Sequence, residues 1–135
     1  MKTKFFFAMG LVVVFLTFSG VAQGHHGDAG RYNDNTIVVT GTLVEVQMVN
    51  PHSLITFDVA GTDGKTVRWQ AELGAAQQLM KEFGWNKNTM KVGQKLTITG
   101  RQAKNGAPYM NLTERSNIVV TDSGKEIYRT ANYGQ

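Results

Sequence analysis

The sequence predicts an all-β fold, a small five-stranded barrel with one helix between its third and fourth strands. Runs rich in Val, Ile and Thr alternate with clusters of Gly, Asn, Asp and Pro, which is typical of short strands joined by turns. A single stretch has the apolar spacing that a helix needs. The 135 residues suit one domain, and the absence of Cys excludes both a disulfide framework and a thiolate metal site.

A long first strand is predicted over residues 36–49, which are rich in Val, Ile and Thr. After Gly41 the apolar residues alternate with polar ones, so Val44, Val46 and Met48 are expected to share one face. A glycine inside a long strand is typical of a bulge or a sharp bend, which we therefore expect at Gly41.

The next two strands are predicted as a hairpin. The Asn-Pro-His triplet at 50–52 is expected to form a turn, because Pro cannot donate to a sheet ladder. The second strand covers residues 53–60 and the third covers 65–73, with an Asp-Gly loop at 61–64 between them. Alternation places seven side chains inward: Ile55, Phe57, Val59, Val67, Trp69, Ala71 and Leu73.

The one predicted helix covers residues 75–83, which are good helix formers. Its apolar stripe consists of Ala76, Leu79, Met80 and Phe83. Glycine commonly occupies the position after the last helical residue, so Gly84 is expected to end the helix.

The C-terminal part of the chain is predicted to complete the barrel. A fourth strand covers 95–100 with Leu96 and Ile98 inward, and a turn follows at 104–108. A fifth strand covers 109–121, bent or broken near Ser116. Residues 122–135 then form a polar tail that could hold one short strand at 126–129.

Three strands, one helix and two strands, with a long first strand, fit the oligonucleotide/oligosaccharide-binding (OB) barrel. The alternative is another small barrel or a β-sandwich, and the single helix argues against the sandwich. The predicted domain layout is an N-terminal arm at 25–35, an OB-like barrel at 36–121 and the tail at 122–135.

Residues 1–24 are predicted to be a cleaved export signal, which places the mature protein in the periplasm. Two lysines lie in the first four residues, an apolar run follows at 5–18, and small residues fill the junction. The run is shorter than the roughly 20 residues that cross a bilayer as a helix, so an uncleaved anchor is the weaker alternative and no membrane span is expected after cleavage. Cleavage after Ala22 or after Gly24 both fit the small-residue rule.

Loss of the leader changes the charge of the protein. Removing 24 of 135 residues takes two lysines away, so the formal net charge falls from +4 to +2. Export and this low charge argue against nucleic acid as a partner. No nucleophile-elbow or phosphate-binding motif is present, so no catalytic residue is assigned and an enzyme is a weaker alternative than a binding protein.

An ordered set of short motifs runs through the mature chain: His-His at 25–26, Val-Thr-Gly-Thr at 39–42, Asn-Pro-His at 50–52, Asp-Gly-Lys at 63–65, Trp-Gln-Ala-Glu at 69–72 and Gly-Trp at 84–85. Together they resemble an uncharacterised family of exported bacterial proteins, known as a domain of unknown function. The resemblance implies an exported single domain that is cleaved just before the paired histidines. It implies no established reaction.

The three histidines of the chain lie in two places, His25 and His26 in the arm and His52 in the first turn. Neutral imidazole is the commonest metal ligand. If cleavage exposes His25, its α-amino group and ring can chelate one ion, and His52 could supply a further imidazole for Cu(II). Cleavage after Ala22 would leave His25 in third position. There its imidazole could still bind Cu(II) together with the terminal amine and the intervening backbone amides.

Two other side chains are candidate ligands. Met48 could add a thioether and so favour Cu(I), although it also continues an apolar strand face. Glu72 could be a carboxylate ligand or a salt-bridge partner for Arg68.

The sequence therefore predicts an exported ligand-binding domain, with copper or a similar divalent metal as the candidate ligand. The alternative is a metal-free protein-interaction or envelope-structural module. The expected partner is accordingly a small ligand, a metal ion or an envelope protein.

Overall fold

A computed structural model describes residues 30–135 of the chain. The predicted leader, His25 and His26 lie outside the described residues. The described part contains seven strands and one helix: β1 (Tyr32–Gln47), β2 (Leu54–Ala60), β3 (Thr66–Glu72), α1 (Ala76–Phe83), β4 (Lys95–Ala103), β5 (Tyr109–Asn111), β6 (Asn117–Val120) and β7 (Lys125–Arg129).

Five of the strands form a closed barrel. They are hydrogen-bonded in the order β1-β2-β3-β5-β4, and β4 pairs with β1 to close the ring. The β3–β5 pair is parallel and the other pairs are antiparallel. With α1 between β3 and β4, this is the predicted OB-like barrel. The β6–β7 hairpin extends the sheet from β4.

Strand β1 changes its inward face at a bulge. Val39 and Leu43 are buried in the first half of the strand. The pairing with β2 shifts between Leu43 and Glu45, so Val44 is an extra residue and the inward positions change parity. Val46 and Met48 therefore pack against the core as predicted, whereas the prediction for Val44 was wrong. The bulge also lies three residues beyond the glycine where it was expected.

Gly41 permits a close approach between β1 and β2. A Cβ at this position would lie 2.7 Å from Phe57 Cδ2 and 2.8 Å from the backbone oxygen of Asp58. Real Cβ atoms do not approach other atoms so closely, so a side chain would push the two strands apart. The glycine therefore sets the spacing of the barrel wall.

The core is formed by the predicted inner faces of β2, β3 and β4, with Phe57, Leu73, Leu96 and Ile98 completely buried. Two residues predicted to point inward are instead exposed. Val67 is 44% exposed because β3 pairs with β5 only from residue 70 onward. Met80 is 57% exposed because α1 contacts the core with Leu79 and the partly buried Phe83.

Helix α1 ends where the sequence predicts. Gly84 adopts a left-handed conformation (φ 68°), and its N–H donates to the carbonyl of Met80. Among residues 30–135, no helix is both long and apolar enough to cross a membrane.

The C-terminal segment takes part in the core. The predicted fifth strand is broken around Ser116 into β5 and β6, and residues predicted as a polar tail include β7. Tyr128 is buried and its hydroxyl donates to the carbonyl of Leu112 at 2.6 Å. The Trp85 indole Nε1 donates to the carbonyl of Ile127 at 2.7 Å. These contacts join the segment to the end of α1 and to the barrel.

We expect Gly41→Ala to lower the free energy of unfolding by about 1–3 kcal/mol, because the added methyl group meets Phe57 and the β2 backbone. Urea denaturation measures the change. Gly30→Ala is the matched control, since a Cβ there meets nothing within 4 Å, and its effect should stay within about 0.5 kcal/mol. Equal losses in the two variants would contradict the role assigned to Gly41.

Candidate functional site

In OB barrels, ligands bind on the face of the second and third strands, between the loops that follow the first and fourth strands. Here those loops are residues 48–53 and 104–108. Side chains at or beside both loops meet at Glu72, the last residue of β3. We call His52, Glu72, Tyr32 and Tyr109 the Glu72 cluster.

Backbone pairing brings these residues together. Leu54 pairs with Glu72 at the end of the β2–β3 ladder, which places the preceding turn and His52 beside the carboxylate. The parallel β3–β5 ladder pairs Tyr109 with Gln70, two residues before Glu72 and on the same side of the strand. Tyr32 reaches the cluster from the start of β1.

Both oxygens of the Glu72 carboxylate have partners. Oε1 lies 3.1 Å from Nδ1 of His52, and Oε2 accepts hydrogen bonds from the hydroxyls of Tyr109 (2.6 Å) and Tyr32 (3.3 Å). The Glu72 side chain is 16% exposed and that of His52 is 54% exposed. A carboxylate is thus held in a nearly buried position and contacts one nitrogen of a solvent-exposed imidazole.

The environment keeps the Tyr109 hydroxyl protonated. Partial burial raises the pKa of Tyr109 well above its usual range, and the hydrogen bond to Glu72 and the negative charge of that carboxylate raise the pKa further. The nearby Arg31 acts weakly in the opposite direction. Tyr109 therefore remains a hydrogen-bond donor to Glu72 at any physiological pH.

An aromatic and cationic cleft adjoins the cluster. The rings of Tyr32 and Tyr109 stack with centroids 6.4 Å apart, and the guanidinium groups of Arg31 and Arg101 lie 5.7 and 5.9 Å from the Tyr32 centroid. The cleft has a volume of about 520 Å³ and is lined by Gly30, Arg31, Tyr32, Lys104, Asn105 and Tyr109, among others. Its size is within the range of small-molecule sites.

The structure brings together two of the predicted site residues, His52 and Glu72. It places Met48 elsewhere, packed against the core in a separate cavity with Val46 and Trp85. Arg68 pairs with Asp58 at 2.9 Å rather than with Glu72. Within residues 30–135, no group of three or more His, Cys, Asp or Glu side chains could hold a metal ion.

The sequence did not reveal the roles of the two tyrosines. Tyr32 fell in the predicted arm because Asn and Asp follow it, and Tyr109 was only the first residue of the predicted fifth strand. The hydrogen bonds from both to Glu72 depend on pairing between distant segments.

In residues 30–135, the fold and the site define a small β-barrel with one helix and a ligand-sized cleft beside the loop that follows β4. A family model described as a family of unknown function (DUF6152) matches residues 13–110, and the chain belongs to this family. This confirms the resemblance to an uncharacterised family. The match includes His52, Glu72 and Tyr109 and ends within β5. A search of curated proteins found no match.

We expect Glu72→Gln to lower the pKa of Tyr109, because the substitution removes the carboxylate charge and weakens the hydrogen bond that stabilise the protonated phenol. The pKa should stay above its ordinary value, since burial remains. Residue-resolved NMR of the tyrosine rings during an alkaline titration measures it. Glu45→Gln is the control, since Glu45 is exposed and bonded to Gln47. Identical Tyr109 titrations in the two variants would contradict the assignment.

Proposed function

We propose that this protein is an exported binding domain whose ligand is a copper-type metal ion, held by His52 together with His25 and His26. The observation that carries the proposal is the contact of His52 Nδ1 with the carboxylate of Glu72, which also accepts hydrogen bonds from Tyr32 and Tyr109. Histidines that bind metals in proteins almost always donate their other ring N–H to a carboxylate, a carbonyl or water. With Nδ1 directed to Glu72, Nε2 is the nitrogen for the metal.

The same contact defines a role for Glu72. Both of its oxygens are already in contact with His52, Tyr32 and Tyr109. The proposed site therefore uses Glu72 to orient the imidazole and to increase its basicity, and not as a direct ligand. Met48, which packs against the core, is likewise left out of the metal site.

In the proposed site the arm supplies the other ligands. Gly30 lines the cleft that is walled by Tyr109, the hydrogen-bond partner of Glu72. His25 precedes Gly30 by five residues in the sequence, which is a reach of about 17 Å when extended. Imidazole and amine nitrogens suit Cu(II), which also binds such ligands more tightly than other divalent metals do.

Calorimetric titration of the processed protein with Cu(II) tests the metal site. We expect binding tighter than micromolar, and a loss of at least tenfold in affinity for His52→Ala, because a ligand is removed. Glu72→Gln should weaken binding by about tenfold or more through loss of the orienting carboxylate.

Asn50→Ala is the matched control, since Asn50 lies in the same turn and is not a proposed ligand. Adding one glycine before His25 should weaken binding if the terminal amine is a ligand. Binding weaker than micromolar, or unchanged binding after His52→Ala, would refute the proposed site.

Export is the second part of the proposal, and it rests on the leader-like residues 1–24. Expressed with its leader in a Gram-negative host, the protein should appear in the periplasmic fraction with the mass of a chain that begins at His25 or Gln23. Intact-mass measurement decides between the two. Val13→Glu, which interrupts the apolar run, should keep the full-length chain in the cytoplasm. A full-length mass in the periplasm would contradict cleavage.

A metal-free interaction module is the second candidate, and the cleft favours it. Tyr and Arg are enriched at protein interfaces, and Tyr32, Tyr109 and Arg31 all line this cleft. Stable capture of one envelope protein by metal-stripped protein, lost on Tyr109→Ala, would support this function over copper binding.

A further inference from the structure

A second cavity lies between β1 and the loop that joins α1 to β4 (residues 84–94). It has a volume of about 290 Å³ and shares no lining residue with the cleft beside the Glu72 cluster. Six of its eight lining residues are apolar: Leu43, Val46, Met48, Trp85, Met90 and Val92. The cavity is therefore an apolar site that the proposed metal chemistry does not use.

The cavity is fixed in place by hydrogen bonds. The loop joins the strand twice, from Leu43 N–H to the carbonyl of Gln94 and from Gly93 N–H to the carbonyl of Leu43, each at 2.8 Å. Trp85 is oriented by its 2.7 Å bond to the carbonyl of Ile127. A site that exists before binding avoids the entropy cost of ordering its walls.

The side chains that line the cavity suit a flexible apolar ligand. Methionine side chains are unbranched and adapt to ligands of different shape, and both Met48 and Met90 line the cavity. Val92 also lines it, although this apolar side chain is 73% exposed. Since an apolar cavity of about 150 Å³ holds one benzene, this one can hold a chain of roughly ten carbons.

One charged side chain lines the cavity, the exposed Lys87. Among residues 30–135, no acidic group forms an ion pair with it. The neighbouring Asn86 side chain accepts a hydrogen bond from the backbone N–H of Asn88 at 2.8 Å, so its carbonyl oxygen is already used within the loop. An ammonium group beside apolar walls complements an anionic head group attached to an apolar tail.

We propose that this cavity binds a single-chain amphiphile with a carboxylate head group, the tail lying against Val46, Met48 and Val92 and the head pairing with Lys87. Decanoate is the probe, used below the concentration at which it forms micelles. Calorimetry and the emission of Trp85 in a Trp69→Phe background should both show saturable binding. Decanol, which lacks the charge, should bind about fivefold more weakly.

Two pairs of variants test the assignment. Lys87→Gln should weaken decanoate binding about fivefold and leave decanol unchanged, whereas Lys91→Gln, in the same loop but outside the cavity, should change neither. Val46→Phe should abolish binding by filling the cavity, while Val38→Phe, on an exposed position of β1, should not.

Circular dichroism confirms that each variant is folded. Absence of saturable binding would overturn the proposal, and so would decanoate binding that Lys87→Gln and Val46→Phe both leave intact. Retention of the protein on phosphatidylglycerol vesicles without binding of free decanoate would assign the surface to a membrane and also overturn it. Copper affinity should be the same in the Lys87→Gln variant, so this test is independent of the metal site.

Discussion

The architecture depends on one strand having two different partners. β1 pairs with β2 through its C-terminal half and with β4 through its N-terminal half, and this double pairing closes the barrel. A strand can turn from one partner to the other only if it bends. The bulge at Val44 supplies the bend, and Gly41 lets the β2 backbone come close enough to keep both ladders intact.

Closure of the barrel is also what assembles the Glu72 cluster. Tyr32 begins β1, which closes the ring by pairing with β4. Tyr109 begins β5, which pairs in parallel with β3, and Glu72 ends β3. The three side chains meet only when all of these ladders have formed. The positions of the carboxylate and of His52 are therefore determined by the barrel as a whole and not by a flexible loop alone.

Local sequence patterns account for most of the fold and for only part of the site. Alternation located the strands, and Gly84 marked the end of the helix. Alternation could not reveal the bulge at Val44. Leu43, Val44 and Val46 are all apolar, so the sequence does not show which of them point inward. His52 and Glu72 were identified from residue type. Their contact, and the hydrogen bonds from Tyr32 and Tyr109, arise from pairing between distant segments, which local patterns do not encode.

The position of Tyr128 has a consequence for how the chain is made. The core that begins with Val39 is completed by Tyr128, and Trp85 is oriented by the carbonyl of Ile127. No N-terminal portion of the chain can therefore form the finished core while Tyr128 is still inside the ribosome. Completion of the core therefore follows synthesis of this segment, and until then Trp85 lacks the carbonyl that orients it.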